Sequence, residues 1–238
     1  MGRGEPDGQL CPTALTPVTP PSMQHSRLNL VFDFGGVLFG WQPAQLVAAT
    51  FPQTVTDAEG ARGLAHAIFG HADWHAFDAG RLTLTQVVQN TAQRLALPQQ
   101  PLLALVKSIG ARLEPIADSV AILQTLVALR TQGSNVRLYY LSNMPRPYAR
   151  TLEQRHTFLQ WFDGGIFSGD VHIIKPDPAI YQLLENRYTL EPDRTIFVDD
   201  LHVSVRSAHA RGWHGIEFAS AAQLRAALQP YLQWPASS

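Results

Sequence analysis

Leu28-Asn29-Leu30-Val31-Phe32-Asp33-Phe34-Gly35-Gly36-Val37-Leu38 is the stretch on which the reading of this chain turns. Its first five residues form a largely apolar run suited to a buried strand, and Asp33 stands where that strand would end. A carboxylate leaving a buried strand into a glycine pair is costly unless a metal, a cation or several N–H donors face it. In an open parallel α/β sheet this position projects into the crevice at the carboxyl ends of the strands, where ligands bind. An isolated Asp-x-Gly-Gly is more often a turn or a helix cap, so the weight rests on the rest of the chain.

Downstream, β-rich runs alternate with amphipathic helical stretches, the pattern of a mostly parallel sheet covered on both faces. Val136-Arg137-Leu138-Tyr139-Tyr140-Leu141 reads as a strand stopping at Ser142-Asn143, and Gly165-Ile166-Phe167 as a shorter one. Thr195-Ile196-Phe197-Val198 is another, ending at Asp199-Asp200, and Gly215-Ile216-Glu217-Phe218 is the last. Val120, Ile122, Leu123, Leu126 and Leu129 mark a helix with Asp118 as its expected cap and Gly133 as its C′ residue. Asp177-Pro178 pairs an N-cap with proline at N1, and Ile180, Tyr181, Leu184 and Tyr188 form the buried stripe that follows. Ser220 is the expected cap of a final Ala/Leu helix from Ala221 to Leu228.

Residues 41–113 break this rhythm. They show helical periodicity only, at Leu46 and Val47, then Leu64, Ala65, Ile68 and Phe69, then Val87, Val88, Ala92 and Leu95, then Leu102, Leu103, Val106 and Ile109. Such a stretch is too long for a simple crossover. It is expected to form a small α-helical cap over the carboxyl edge of the sheet. Residues 1–26, with Pro6, Pro12, Pro17, Pro20 and Pro21, read as a disordered tail, within which Met23 is an alternative start. The expected fold is therefore α/β: a Rossmann-like sheet with helices on both faces from residues 27–40 and 114–238, and the cap from 41–113.

The bulk numbers leave room for a globular enzyme and narrow its partners. The 238 residues are 45% apolar and 16% charged, with a net charge of −1. That balance gives no general attraction to nucleic acid or to an anionic membrane. Cys11 is the single cysteine, so no intramolecular disulfide is available. No unbroken apolar stretch is long enough to cross a bilayer, and the N-terminus lacks the apolar region of a secretory signal. A cytoplasmic location is the expectation by default; whether the chain is a monomer or a homodimer is left open.

Three expected strands thus end in polar chemistry, at Asp33, at Ser142-Asn143 and at Asp199-Asp200. Lys175 lies in Ile173-Ile174-Lys175-Pro176-Asp177-Pro178, just ahead of a helix. Singly, Lys175 is a solvated lysine and Asp199-Asp200 a turn before a helix. Together and in this order, they resemble the haloacid dehalogenase superfamily of hydrolases, most of which are phosphatases. The matching motifs are Phe32-Asp33-Phe34-Gly35-Gly36-Val37-Leu38, Leu141-Ser142-Asn143-Met144, Lys175-Pro176-Asp177-Pro178 and Phe197-Val198-Asp199-Asp200. The intervals from the second motif to the third (175 − 142 = 33) and from the third to the fourth (199 − 175 = 24) are similar to the family's as well.

The resemblance implies a division of labour that phosphoryl transfer explains. Asp33 would attack phosphorus and form an aspartyl-phosphate, splitting one hard displacement into two easier ones. Mg²⁺, which suits carboxylate and carbonyl oxygens, would be held by Asp33, the Gly35 carbonyl and Asp200, with Asp199 adjacent or acting through water. Ser142 and the neighbouring Asn143 N–H would hold phosphate oxygens, and Lys175 would neutralise the charge gathered on Asp33 and the phosphoryl group. The implied substrate is a small phosphorylated metabolite.

Gly35 departs from the family pattern, since most phosphatases of the superfamily carry a second aspartate there as general acid and base. General acid catalysis is worth ~10²–10⁴-fold, so its loss favours esters with good leaving groups. Asp-x-Gly-(Asn/Gly)-Val is similar to the bacterial α-D-glucose-1-phosphate phosphatase subgroup, and an anomeric oxygen leaves more readily than an ordinary alkoxide. The expected bias is toward sugar 1-phosphates. Two alternatives remain: carbon–halogen cleavage by the same aspartate without metal, and a catalytically weak phosphate-binding or regulatory protein.

In the expected cap, His71-Ala72-Asp73-Trp74-His75-Ala76-Phe77-Asp78-Ala79-Gly80 is the most polar and aromatic stretch. His71 and His75 have the spacing of one helical face, but no third ligand accompanies them, and a hydrogen-bonded helix face is the plainer reading. Trp74 is expected to pack within the cap, while His75 and Asp78 are candidate pocket residues. His202, His209 and His214 are expected on the surface. Neither a Gly-x-x-x-x-Gly-Lys-Ser/Thr loop nor a Gly-x-Ser-x-Gly elbow occurs.

Overall fold

The structure is a computed structural model that describes residues 27–232 and residue 234. The expected tail of residues 1–26, with Cys11 and Met23, lies outside the described residues. Among these, the strands β1 (Leu28–Phe32), β2 (Val136–Ser142), β3 (Gly164–Phe167), β4 (Thr195–Asp199) and β5 (His214–Glu217) form one sheet in the order β3-β2-β1-β4-β5. Every neighbouring pair is parallel.

Helices α1 (Pro43–Thr50), α2 (Ala58–Phe69), α3 (Ala72–Asp78), α4 (Leu84–Leu95) and α5 (Gln99–Arg112) follow β1 without an intervening strand. Helices α6 (Ala117–Thr131), α7 (Arg146–Arg155), α8 (Ser168–Val171), α9 (Pro178–Tyr188), α10 (His202–Ala210) and α11 (Ala221–Leu228) flank the remaining strands. No helix among the described residues is long and apolar enough to cross a membrane.

The strands read as unbroken apolar runs because both faces of the sheet are covered. Alternation then divides them. Leu30, Phe32, Leu138, Ile196 and Val198 point into a core shared with α6, α11 and the helices after β1. Val31, Tyr139, Leu141 and Phe197 meet Ile180, Tyr181, Leu184, Ala208 and Trp213 on the other face.

Helix ends follow local chemistry. Asp177 accepts a hydrogen bond from the Ala179 N–H with Pro178 at N1, and Ser220 caps α11 through Gln223 N–H. Gly133, at φ 97°, ends α6 in a Schellman turn, with Ser134 N–H bonded to Leu129 O at 3.0 Å and Gly133 N–H to Arg130 O at 3.1 Å. Asp118 is not the cap of that helix. Ile116 holds the cap position with no side-chain bond, and Asp118 lies in the first turn, where its charge still meets the positive end of the helix dipole.

Two contacts of the segment between β1 and α6 with the rest of the chain are especially close. Tyr148 of α7 donates its hydroxyl to Val106 O at 2.7 Å, and the backbone of Gly110 lies so close that an added Cβ would stand 3.0 Å from Tyr148 Cα. At the other, Gly80 adopts φ 65° and an added Cβ would stand 2.5 Å from Gly169 O, so only glycine fits. His172 Nδ1 lies 2.9 Å from Ala79 O and Arg81 bonds His172 O beside it.

Candidate active site

The order of the sheet places the carboxyl ends of β1 and β4 side by side, at the point where the strand order reverses and open α/β sheets bind ligands. Phe32 pairs with Val198, and Asp33 N–H donates to Val198 O at 2.9 Å. Asp33 and Asp199 therefore emerge next to each other. On the far side Phe32 pairs with Tyr140, which brings Ser142 at the end of β2 to the same rim.

Lys175 reaches this rim from the loop before α9. Its Nζ lies 2.9 Å from Asp33 Oδ1 and 2.5 Å from Asp199 Oδ2, and all three side chains are at least nine-tenths buried. Asn143 holds the backbone that delivers it: Lys175 N–H donates to Asn143 Oδ1 at 2.8 Å, and Asn143 Nδ2 donates to Lys175 O at 3.0 Å. The side chain of Asn143 thus positions Lys175, and the expected phosphate contact concerns its backbone N–H.

Burial dominates the electrostatics here. It pushes the carboxyl of Asp33 up to about 6; the Lys175 ammonium pulls it down and Asp199 pushes it further up. For Lys175 burial works the other way, but the charges of Asp199 and Asp33 outweigh it and hold the ammonium above its ordinary range. Asp200 is raised by burial and by Asp199, with Lys175 opposing. One ammonium does not balance three carboxylates. Asp33, Asp199 and Asp200 each offer an oxygen within 4.8 Å of the others, a donor set of the hard kind that oxygen-loving divalent cations take.

Two further observations fit a cation at that point. Asp33 Oδ1 is buried and close to Lys175 Nζ, yet no aligned hydrogen bond reaches it. Asp199, in contrast, has both oxygens engaged, one by Lys175 and the other by Leu201 N–H at 2.8 Å. Asp33 and Asp200 are therefore the carboxylates free to take a ligand directly, with Gly35 on the cavity wall beside them.

Above these groups is a cavity of about 250 Å³ lined by Asp33, Gly35, Ser142 and Asn143 from the sheet edge and by Asp200 and Leu201 after β4. Its remaining wall is mostly apolar. Trp41, Phe69, Trp74, Phe77 and Tyr148 form a continuous chain of edge-on ring contacts, with centroids 5.2, 4.6, 5.4 and 5.6 Å apart. All of these except Phe77 line the cavity, together with Ile109, Leu113 and Met144.

His75 and Asp78 of α3 also face the cavity. Trp74 both packs, being 5% exposed, and lines it. His71 does not pair with His75 around a metal: its Nδ1 caps α3 by accepting the Asp73 N–H at 3.1 Å. His202 bonds Glu217 at 2.8 Å and His214 the Asp193 carbonyl at 3.1 Å; with His209, neither lines the cavity. Residues such as Trp41, Ile109 and Tyr148 carried no sequence signal beyond ordinary core periodicity. Ser168 carries no sequence signal either, though its hydroxyl accepts Met144 N–H at 2.8 Å and donates to Asp78 O at 2.7 Å.

A family model for the haloacid dehalogenase-like hydrolases matches residues 29–210. The sesquiterpene phosphatase astK of Aspergillus oryzae is 26% identical over 186 residues, covering 78% of this chain and 87% of that protein. Drimenol cyclase drtB of Aspergillus calidoustus is 24% identical over 193 residues, which span 79% of this chain and 33% of the cyclase. Among solved structures, a HAD family enzyme of Bacteroides thetaiotaomicron in complex with magnesium and inorganic phosphate superposes with a TM-score of 0.61 at 17% identity, covering 80% of this chain and 93% of that one. The L-2-haloacid dehalogenase of Xanthobacter autotrophicus, with chloropropionic acid covalently bound, gives 0.60 at 19% identity over 88% of this chain and 85% of its own. The two superpositions establish the fold, and the match to the family model over residues 29–210 places the chain itself among the haloacid dehalogenase-like hydrolases.

Proposed function

We propose that this hydrolase is a Mg²⁺-dependent phosphomonoesterase working through an aspartyl-phosphate, with residues 27–40 and 114–238 as its catalytic core and 41–113 as a cap. The observation that carries the proposal is the buried Lys175 shared by Asp33 and Asp199 beside a third carboxylate, Asp200. A halide needs no such concentration of negative charge, whereas a phosphate dianion meeting a carboxylate nucleophile needs cations between them. Mg²⁺, when bound, supplies that charge compensation and polarises a phosphoryl oxygen.

Asp33, fixed by its N–H bond to Val198 O, presents a carboxylate oxygen to phosphorus. Asp33, Asp200 and the Gly35 carbonyl would hold the ion, with Asp199 adjacent. Ser142 and the Asn143 backbone orient the phosphoryl oxygens. Lys175 keeps Asp33 in place and offsets the charge that builds up as the phosphoryl group transfers. The cap closes water out of the cavity and chooses the organic group.

The wall formed by Trp41, Phe69, Trp74, Ile109, Leu113, Met144 and Leu201 suits an apolar carbon skeleton. The likeness to a sesquiterpene phosphatase supports the same reading, so the proposed substrate is the monophosphate of a terpenoid or similarly apolar alcohol. A sugar 1-phosphate is the second reading, favoured by Gly35, where a general acid is absent and a good leaving group would compensate.

A panel tests both, reading phosphate release from farnesyl phosphate, glucose 1-phosphate, glucose 6-phosphate and a nucleoside monophosphate and chloride release from a 2-chloro acid, with Mg²⁺ and with EDTA. The proposal expects farnesyl phosphate to lead, EDTA to stop turnover and Asp33→Asn to abolish it. Preference for glucose 1-phosphate selects the second reading. Chloride release that survives EDTA, or full activity in Asp33→Asn, refutes both.

A further inference from the structure

Three carboxyls face the cavity, and the site described above uses two of them, Asp33 and Asp200. The third is Asp78, the last residue of α3. It is 9% exposed, and its carboxyl takes part in no hydrogen bond or ion pair with any described residue. Its backbone is the opposite of free. Ser168 Oγ donates to Asp78 O at 2.7 Å while accepting the N–H of Met144, two residues beyond Ser142. The two residues that follow, Ala79 and Gly80, press on His172 and Gly169. The end of α3 is thus pinned against the loops beside the phosphate-facing rim, and it delivers to that wall a carboxyl with nothing to bond.

Other proton carriers on the wall are spent. The Tyr148 hydroxyl is donated to Val106 O at 2.7 Å, and the Asn143 amide holds Lys175 at both ends. With Ser142 and Asp200 assigned above to phosphate and metal, Asp78 and His75 remain. Burial, and next the negative charge of Asp33, hold the Asp78 carboxyl well above the ordinary range against the pull of Lys175, so an O–H donor is the form the site favours.

We propose that Asp78 is the proton donor to the departing oxygen, serving from the helical insertion in place of the side chain that Gly35 lacks. The assignment rests on the phosphatase reading. As Asp33 bonds to phosphorus and the ester P–O bond breaks, the Asp78 proton passes to the ester oxygen, releasing a neutral alcohol and leaving Asp78 ionised. Water then attacks phosphorus, its proton returns to Asp78, and inorganic phosphate and free Asp33 are regenerated. With a donor present, the enzyme is not confined to activated esters.

Leaving-group dependence reads this directly. Asp78→Asn should lower kcat on farnesyl phosphate by ~10²–10⁴-fold, with a loss at least about tenfold smaller on 2,4-dinitrophenyl phosphate, whose phenolate departs unprotonated. Gly35 offers a rescue: a Cβ there would meet nothing nearer than Trp41 Cβ at 3.9 Å, and its φ is not left-handed, so Gly35→Asp is sterically open. The double variant Gly35→Asp/Asp78→Asn should regain about tenfold or more on farnesyl phosphate. Across aryl phosphates of graded leaving-group acidity, the unsubstituted enzyme should show a shallow rate dependence, a measurement that needs no variant.

A steep dependence in the unsubstituted enzyme, or equal losses on both esters in a folded Asp78→Asn, overturns the assignment. So does the ester split if it arises in His75→Gln and not in Asp78→Asn. Absence of phosphate release from either ester by the unsubstituted enzyme instead removes the phosphatase reading on which the assignment stands.

Discussion

Gly36 and Asp200 compete for the same space: a Cβ placed on Gly36 would stand 2.3 Å from Asp200 Oδ2. The backbone of Gly36 is left-handed, at φ 74°, and its N–H bonds Phe39 O at 2.9 Å, so the turn after Asp33 cannot move aside easily. Glycine at position 36 is therefore a condition for the third carboxylate to reach the cluster.

Gly36→Ala should displace Asp200 as well as strain the turn, a left-handed alanine alone being worth about 1–2 kcal/mol. The expected result is a folded protein whose melting temperature no longer responds to Mg²⁺ and whose phosphate release is lost. A normal Mg²⁺ titration in this variant would show that Asp200 is not needed for the ion.

Lys175→Met removes the one ammonium between two buried carboxylates. Breaking a buried pair by deleting one partner costs about 3–5 kcal/mol, because the remaining charges lose their compensation. In a domain of this size that is a fall of roughly 6–20 °C in melting temperature. Added Mg²⁺ should restore part of it. A melting temperature equal to that of the unsubstituted protein in EDTA would contradict the electrostatic account.

Asp33 gives the stability a pH dependence of known sign. Its carboxyl is raised from 3.8 to about 6, chiefly by burial, so the fold favours the protonated form. That contribution is complete below about pH 4 and is lost as pH climbs through about 6. In EDTA, Asp33→Asn should therefore gain on the unsubstituted protein between these limits, by about 3 kcal/mol, and hold a constant lead above them. Mg²⁺, which favours the ionised form, should shrink the gain. Denaturant unfolding at half-unit pH steps measures the difference, and a lead that narrows with rising pH refutes the assignment.

Trp74 sits between Phe69 and Phe77 in the ring chain that walls the cavity. Trp74→Leu keeps the position apolar but opens the wall. KM for farnesyl phosphate should rise by about tenfold with a smaller change in kcat, whereas p-nitrophenyl phosphate, with less apolar surface to bury against the wall, should be less affected. Equal effects on both substrates would place Trp74 outside the binding surface for the organic group.

Much of this was legible in the chain itself. The runs ending at Phe32, Ser142, Phe167 and Asp199 are strands because β-rich residues buried on two faces leave a largely apolar stretch of four to seven residues. Asp177-Pro178, Ser220 and Gly133 mark helix ends through contacts a few residues long, and the structure forms each of them. Asp118 differs from the expectation because an acidic residue in a first turn looks the same in sequence as one at the cap, and two residues of register separate it from Ile116.

The convergence of Asp33, Ser142, Lys175 and Asp199 could also be foreseen, since each closes or follows a strand of a parallel sheet and such a sheet sends all those ends one way. What no local pattern contained is how α3 and α5 lie against α7 and α8. That docking is set by side-chain packing between segments as distant in sequence as Asp78 and Ser168, or Gly110 and Tyr148. It alone decides that the wall is a chain of aromatic rings and that an unpaired carboxyl at Asp78 lines the same cavity as Asp33. Periodicity is a property of neighbours along the chain, whereas a cavity belongs to surfaces that meet only once the chain has folded.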